Sequence, residues 1–249
     1  MKKDTESKVA GIRFNLHYNE EFVKGMVMAA TVAGNMVRRK GVSPVTSPMT
    51  MGAVVQAIIL AGEGDHLEIG SRLGGSAVVS AWALGENKTQ RKIICVDPME
   101  DLIPQIKYPT KTEMGDEKIF WDNMRRFGVD GHVELYQEYS DTYFVGYGSK
   151  TYSTAFVDGD HRYNGVRADL DNLKDRVSQS IVMDDVDYSG VQTAMSEFLY
   201  FNPSWVLGAY VYPTTAVLVK TSADNEECLN QVGLFNAKRA TMEGLDAEV

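Results

Sequence analysis

Two acidic segments carry the residue types best suited to chemistry in this chain. One reads Phe156-Val157-Asp158-Gly159-Asp160-His161 and the other Val182-Met183-Asp184-Asp185. Each ends an apolar run that reads as a buried strand, and neighbouring parallel strands bring their carboxyl ends to one edge of a sheet. Asp158, Asp184 and Asp185 can therefore converge. Three carboxylates at close quarters repel one another unless a cation neutralises them, and hard oxygen donors suit Mg²⁺, Mn²⁺ or Ca²⁺. Such a cation acts as a Lewis acid on a substrate hydroxyl and lowers its pKa. His161, on the turn leaving the first strand, has an ordinary pKa of about 6.5 and suits removal of the hydroxyl proton. The competing reading is structural, because strand-end aspartates also cap helices, and Asp185 and Asp187 precede one. Asp160 would orient the loop or cap the helix beginning near Asn164. Asp187, His17, His66 and His132 carry no catalytic expectation. Tyr163, Tyr188 and Trp121 are read first as packing residues and only second as the lining of an acceptor pocket.

A second constellation lies upstream, in Glu68-Ile69-Gly70-Ser71-Arg72-Leu73-Gly74-Gly75-Ser76. Glycines directly after a strand let backbone approach a ligand closely, and the N-terminus of the following helix offers free N–H groups. An acidic residue about 20 residues on, at the end of the next strand, can take a ribose hydroxyl pair. Asp97 stands at that place. The plainer alternative is that Gly74 and Gly75 allow tight helix–strand packing and Asp97 caps a helix. A nicotinamide site would want a middle glycine where this chain has Arg72, whose side chain obstructs approach of the pyrophosphate.

The elements that must position these groups alternate regularly. His66–Ile69, Ile93–Val96, His132–Gln137, Ala155–Val157 and Ile181–Met183 read as strands. Helices are expected from Gly75 to Leu84, around Ile119, Phe120, Met124 and Phe127, from Val166 to Leu173 and from Val191 to Leu199. Apolar runs such as Ile93-Ile94-Cys95-Val96 suit strands covered on both faces. Trp205–Tyr212 and Thr215–Lys220 are separated only by Pro213 and Thr214, too few residues for a parallel crossover, so an antiparallel hairpin closes the chain. The expected fold is a doubly wound, mostly parallel α/β sheet of seven strands with a C-terminal antiparallel hairpin. Before it, residues 1–64 read as a helical extension, with one helix over Phe22–Val37, a break at Gly41–Pro44, and a second helix N-capped by Thr50 that ends near Gly62 and Gly64. Residues 65–222 form the α/β domain, and 223–249 a polar tail.

The Glu68–Ser76 segment resembles the first motif of class I S-adenosylmethionine (SAM)-dependent methyltransferases. More narrowly, it is similar to the branch containing macrolide-sugar O-methyltransferases and cephalosporin-hydroxylase-like proteins. The resemblance spans roughly Leu67 to Lys220. It implies a Rossmann-like methyltransferase fold in which Glu68, Gly70, Ser71, Gly74, Gly75 and Ser76 hold the methionine part of SAM. Asp97 would bind the ribose, and Ser140 would lie near the adenine. Asp-Gly-Asp-His followed by Asp-Asp is also the pattern of the metal-dependent sugar O-methyltransferases of that branch. It implies Asp158, Asp184 and Asp185 as ligands of a divalent metal such as Mg²⁺, and His161 as the general base. The implied reaction is O-methylation of a hydroxylated small molecule or sugar. Two other readings stand beside it: a SAM- or S-adenosylhomocysteine (SAH)-binding regulatory or structural protein without catalysis, and an NAD-dependent oxidoreductase.

Composition narrows the partners. The 249 residues carry a formal net charge of -9, which disfavours bulk attachment to nucleic acid or anionic membranes. Cys95 and Cys228 cannot form a disulfide scaffold, and Cys95 reads as a small buried hydrophobe. The polar N-terminus lacks the apolar core of a signal peptide, and no apolar stretch reaches membrane-spanning length, so a cytoplasmic protein is expected. By the same resemblance to methyltransferases, the N-terminal extension would serve as a substrate lid or as a homo-oligomer contact.

Overall fold

The computed structural model describes residues 6–9, 12–15, 46–61, 63–86, 90–99, 116–211 and 214–221. In chain order the elements are β1 (Glu6–Val9), β2 (Ile12–Asn15), α1 (Pro48–Leu60), β3 (His66–Ile69), α2 (Gly75–Glu86), β4 (Ile93–Val96), α3 (Asp116–Phe127) and β5 (Val133–Tyr136). Then follow α4 (Ser140–Gly146), β6 (Tyr152–Val157), α5 (Tyr163–Leu173), β7 (Val177–Met183), α6 (Ser189–Phe201), β8 (Trp205–Val211) and β9 (Thr215–Lys220). β1 and β2 pair antiparallel as a separate two-stranded ladder, where helical or irregular chain was expected. The helix expected over Phe22–Val37, the break at Gly41–Pro44 and the tail from 223 lie outside the described residues.

The main sheet has seven strands in the order β5-β4-β3-β6-β7-β9-β8. β3 pairs parallel with both β4 and β6, so the strand order reverses between β3 and β6, the place where open α/β sheets bind ligands. β9 pairs antiparallel with β7 and with β8, as the two-residue spacing in the sequence required. The central strands β3, β4 and β6 are buried at every position; β4 accordingly reads as an unbroken apolar run, while β3 carries buried His66 and Glu68 and β6 buried Ser153 and Thr154. One face packs against α4, α5 and α6 through Tyr143, Leu170 and Phe198. The other packs against α1, α2 and α3 through Ile58, Leu84 and Phe120. Cys95 is buried in β4 and its thiol pKa is pushed up by desolvation.

Three local differences from the sequence expectation have simple causes. Ser47, not Thr50, caps α1: its hydroxyl accepts from the Thr50 amide at 3.1 Å, and Pro48 takes the first helical position, where a missing N–H costs nothing. The strand expected from His132 is preceded by a 3-10 turn over Asp130–His132 and starts one residue later. Ser140, expected only to lie near the adenine, opens a short helix, α4, that no expected element covered.

α1 is fastened at its C-terminal end by buried Arg91. The Arg91 guanidinium donates to the Ile58 carbonyl at 2.8 Å, to the Ser153 hydroxyl at 3.0 Å and to the Gly64 carbonyl. Gln179 on β7 adds a bond to the Ala61 carbonyl at 2.6 Å. Among the described residues no helix is long and apolar enough to cross a membrane.

Candidate active site

Each strand end at the switch point is extended one residue by backbone pairing, and this brings four loops to a common level. Gly70 N–H donates to Val96, Asp158 N–H to Ile69, Asp184 N–H to Val157 and Asp97 N–H to Tyr136, all between 2.9 and 3.1 Å. The turn after β3 then folds tightly. Gly70 has φ +90°, and a Cβ on it would overlap the Asp158 carbonyl, so only glycine allows the β3 and β6 loops to touch. Gly74, at φ +81°, abuts Phe120 and Met124 on α3, and its N–H closes the turn on the Ser71 carbonyl at 2.7 Å. Gly75 begins α2.

The polar groups of this turn face inward. Ser76, in the first turn of α2, donates to Glu68 Oε1 at 2.7 Å. Glu68 is wholly buried, and Glu68 Oε2 and the Ser71 hydroxyl have no partner meeting hydrogen-bond geometry among the described residues. Burial pushes the Glu68 carboxyl up to about 8; nearby Ser76 and Ser71 hydroxyls oppose the rise, and the Asp158 and Asp97 charges add to it. Asp97 bridges to this turn: its Oδ2 accepts from the Arg72 amide at 2.7 Å and its Oδ1 from the Met99 amide at 2.6 Å. A carboxylate has about four lone-pair sites, so these two bonds leave it able to accept more. Ser140 is committed elsewhere, donating at 2.5 Å to Asp169 on α5. Asp169 is buried and its carboxyl is pushed up to about 7 by desolvation.

Across the Gly70 contact lies the acidic centre. His161 Nε2 sits 3.1 Å from Asp185 Oδ2 and 3.8 Å from Asp158 Oδ1. Asp158, His161 and Asp185 each offer a ligand atom, and these atoms lie within 4.8 Å of one another. The Asp158 and Asp185 carboxylates raise the His161 pKa, against the opposing effect of burial. Asp158 is raised to about 6, chiefly because it is closely ringed by protein, although 19% of its side chain stays exposed. Asp185 reaches His161 because its backbone adopts φ +55°, a left-handed conformation that aspartate tolerates better than most residues.

Asp184 stands beside that trio rather than within it, close enough for its charge to raise the pKa values of both Asp158 and Asp185. It continues the alternation of β7 onto the α1 face, where its Oδ1 accepts from Thr214 at 3.0 Å and Thr50 at 3.2 Å, with Thr215 Oγ1 3.4 Å away. Asp158 Oδ2 accepts from Thr46 at 3.2 Å on the same side. None of these threonines was expected at the site from the sequence; Thr50 was read only as a helix cap and Thr214 only as part of a hairpin connection. Asp160 orients its loop, accepting from the Arg162 amide and guanidinium. Tyr163 donates to Glu197 on α6 at 2.5 Å, and Trp121 packs edge-on to Phe120. Tyr188 is 54% exposed, with its ring 5.2 Å from that of His161. His66, with its pKa lowered to about 3 by burial and by Arg91, bonds Thr154 within the sheet, away from the strands' carboxyl ends.

The fold is the α/β methyltransferase fold, with a glycine turn at the sheet's switch point beside an edge of carboxylates and a histidine. Residues 67–186 match the family model described as a methyltransferase domain. Among solved structures, the O-methyltransferase NovP is 17% identical and aligns over 81% of this chain and 100% of its own, with a TM-score of 0.61. CalS11, a TDP-rhamnose 3'-O-methyltransferase of calicheamicin biosynthesis, is 16% identical over 82% of this chain and 96% of its own, with a TM-score of 0.51. An O-methyltransferase from Bacillus cereus, solved in complex with SAH, is 15% identical over 83% of this chain and 93% of its own, with a TM-score of 0.53. At these identities the likeness speaks for the fold. A comparison with curated protein sequences finds no match.

Proposed function

We propose that this protein methylates a hydroxyl group of a small-molecule acceptor, with a sugar as the leading class, using SAM and a divalent cation such as Mg²⁺. The observation that carries this reading is one juxtaposition. The end of β3 and its turn hold two buried polar groups, Glu68 Oε2 and the Ser71 hydroxyl, without a partner meeting hydrogen-bond geometry among the described residues, and press through Gly70 against the strand end that bears Asp158. The buried carboxyl of Glu68 suits the ammonium of the methionine part of SAM, and Asp97 has lone pairs to spare for the ribose hydroxyls. Ser140 would contribute to the adenine side through its position on α4 rather than through its hydroxyl, which Asp169 holds.

The acidic centre fits a cation. Half-buried carboxylates that repel one another, one of them raised to about 6, favour positive charge beside them. Asp158, Asp184 and Asp185 would hold the ion, which when bound supplies Lewis acidity to the acceptor hydroxyl. His161, on the solvent side of this centre, takes the acceptor proton. The acceptor oxygen then bonds the methyl carbon as the carbon–sulfur bond breaks, and SAH leaves. Tyr188, exposed beside His161, forms a wall against which an acceptor ring can lie. Much of the acceleration comes from holding acceptor and methyl in line and excluding water.

His161→Ala tests this assignment. With hydroxylated acceptors and Mg²⁺, turnover is expected to fall by roughly 10²–10⁴-fold while SAH affinity stays unchanged. Wild-type turnover in that variant removes His161 as base. Turnover of the native enzyme that survives EDTA removes the metal, and SAH binding without transfer to any acceptor leaves a cofactor-binding protein without catalysis.

A further inference from the structure

The site is completed from outside the matched methyltransferase domain. Thr50 on α1 is fully buried and stands at the centre of a hydroxyl cluster. Its Oγ1 lies 2.6 Å from Thr215 Oγ1 on β9, 2.9 Å from Ser47 Oγ and 3.2 Å from Asp184 Oδ1. A hydroxyl has one proton to donate and two lone pairs to accept with. Only one assignment uses all three contacts of Thr50 and ends on a group that can accept. Thr215 and Ser47 donate to Thr50, and Thr50 donates to Asp184. Thr215 makes its shorter contact, 2.6 Å against 3.4 Å, to Thr50 rather than to Asp184, as this direction requires. Thr214 adds a second donor to the same carboxylate oxygen. Two donors from different elements, α1 and the hairpin before β9, fix the rotation of the Asp184 carboxylate and therefore the direction of Oδ2.

α1 is suited to this task because both its ends are fastened. Arg91 and Gln179 hold its C-terminal end near the opposite edge of the sheet, while Ser47 and Pro48 begin the helix beside the carboxylates. Its thirteen residues span about 20 Å at 1.5 Å each, enough to brace one face of the sheet. The positive end of the helix also points at Asp158 and Asp184.

We propose that Thr50 is a positioning residue that locks the Asp184 carboxylate for cation binding, so that α1 is part of the active site rather than a separate extension. This rests on the metal reading of the acidic centre. The test compares the full-length wild type with Thr50→Val, Thr50→Ser and Thr214→Val. Mn²⁺ affinity is read from the free-ion electron paramagnetic resonance signal, and SAH affinity by calorimetry. Losing an orienting partner of a metal ligand costs roughly 10–100-fold in metal affinity. Thr50→Val should show that loss with SAH affinity unchanged, and Thr50→Ser should restore it. Thr214→Val, at a less buried position, should move the same way and serves if Thr50→Val does not fold. Unchanged Mn²⁺ affinity in folded Thr50→Val, or equal losses of Mn²⁺ and SAH affinity, overturns the positioning role. Wild-type protein that fails to bind Mn²⁺ overturns the metal reading and this inference with it.

Discussion

Binding of SAH should release a proton, and Glu68 should be its source. In the ligand-free protein the Glu68 carboxyl is raised to about 8 because it is wholly buried. At pH 7 a group with that pKa is protonated in about nine molecules of ten. A bound ammonium beside it favours the carboxylate, so its pKa falls on binding and about 0.9 proton leaves per site at pH 7. The pH dependence has a definite sign. Where the free protein holds the proton and the complex does not, affinity rises about tenfold per pH unit, so SAH binds more tightly at pH 7 than at pH 6 and levels off above pH 8. Calorimetric titration in buffers of different ionisation enthalpy reads the proton count directly. Glu68→Gln should lose the proton release and bind SAH roughly 10–100-fold more weakly at pH 8, the loss of one charged hydrogen bond of about 1.5–3 kcal/mol. A binding enthalpy independent of buffer refutes the reasoning, as does the same proton release from Glu68→Gln.

Two further outcomes follow from the site's supports. Gly70→Ala should destabilise the fold by more than the roughly 1–2 kcal/mol of a left-handed backbone alone, because its Cβ also overlaps the Asp158 carbonyl; a urea midpoint like that of wild type refutes it. Asp169→Asn keeps an acceptor for Ser140 and removes a carboxylate raised from 3.8 to about 7. A raised carboxyl contributes stability below its unfolded pKa and loses it as pH climbs through the folded one, so the Asn variant should match wild type near pH 4. It should exceed wild type by a few kcal/mol at most at pH 8, at roughly 1.4 kcal/mol per pKa unit. Parallel urea titrations at the two pH values check this, and a gap that does not grow with pH contradicts it.

The sheet was legible because burial on both faces writes itself into composition. Ile93–Val96 has no polar face, and the two-residue connection between Trp205–Tyr212 and Thr215–Lys220 leaves only a hairpin. Elements with a weaker signature were missed or shortened. α4, Ser-Asp-Thr-Tyr-Phe-Val-Gly, is too short for helical periodicity to stand out, and it buries only Tyr143 and Phe144. The first half of β7, Val-Ser-Gln-Ser, is partly exposed and reads as a turn. At the start of α1 both Ser47 and Thr50 satisfy the rule for a cap, and Pro48 is the residue that decides between them.

The site divides along the same line. Glu68, Gly70, Asp97, Asp158 and His161 stand in contiguous strand-end motifs, where one residue's neighbours in sequence are also its neighbours in space. Asp184 and Asp185 share such a motif yet part in the structure, because the left-handed backbone at Asp185 turns its side chain toward His161 and leaves Asp184 to follow the strand's alternation onto α1. What receives Asp184 is drawn from residues 134, 30 and 31 positions away, Thr50, Thr214 and Thr215. Threonine is common, and three of them so dispersed carry no local signal; only the packing of α1 across the sheet gives them a shared target. The motif therefore specifies which carboxylates gather at the sheet edge, and residues on either side of the domain that carries it specify how one of them is aimed.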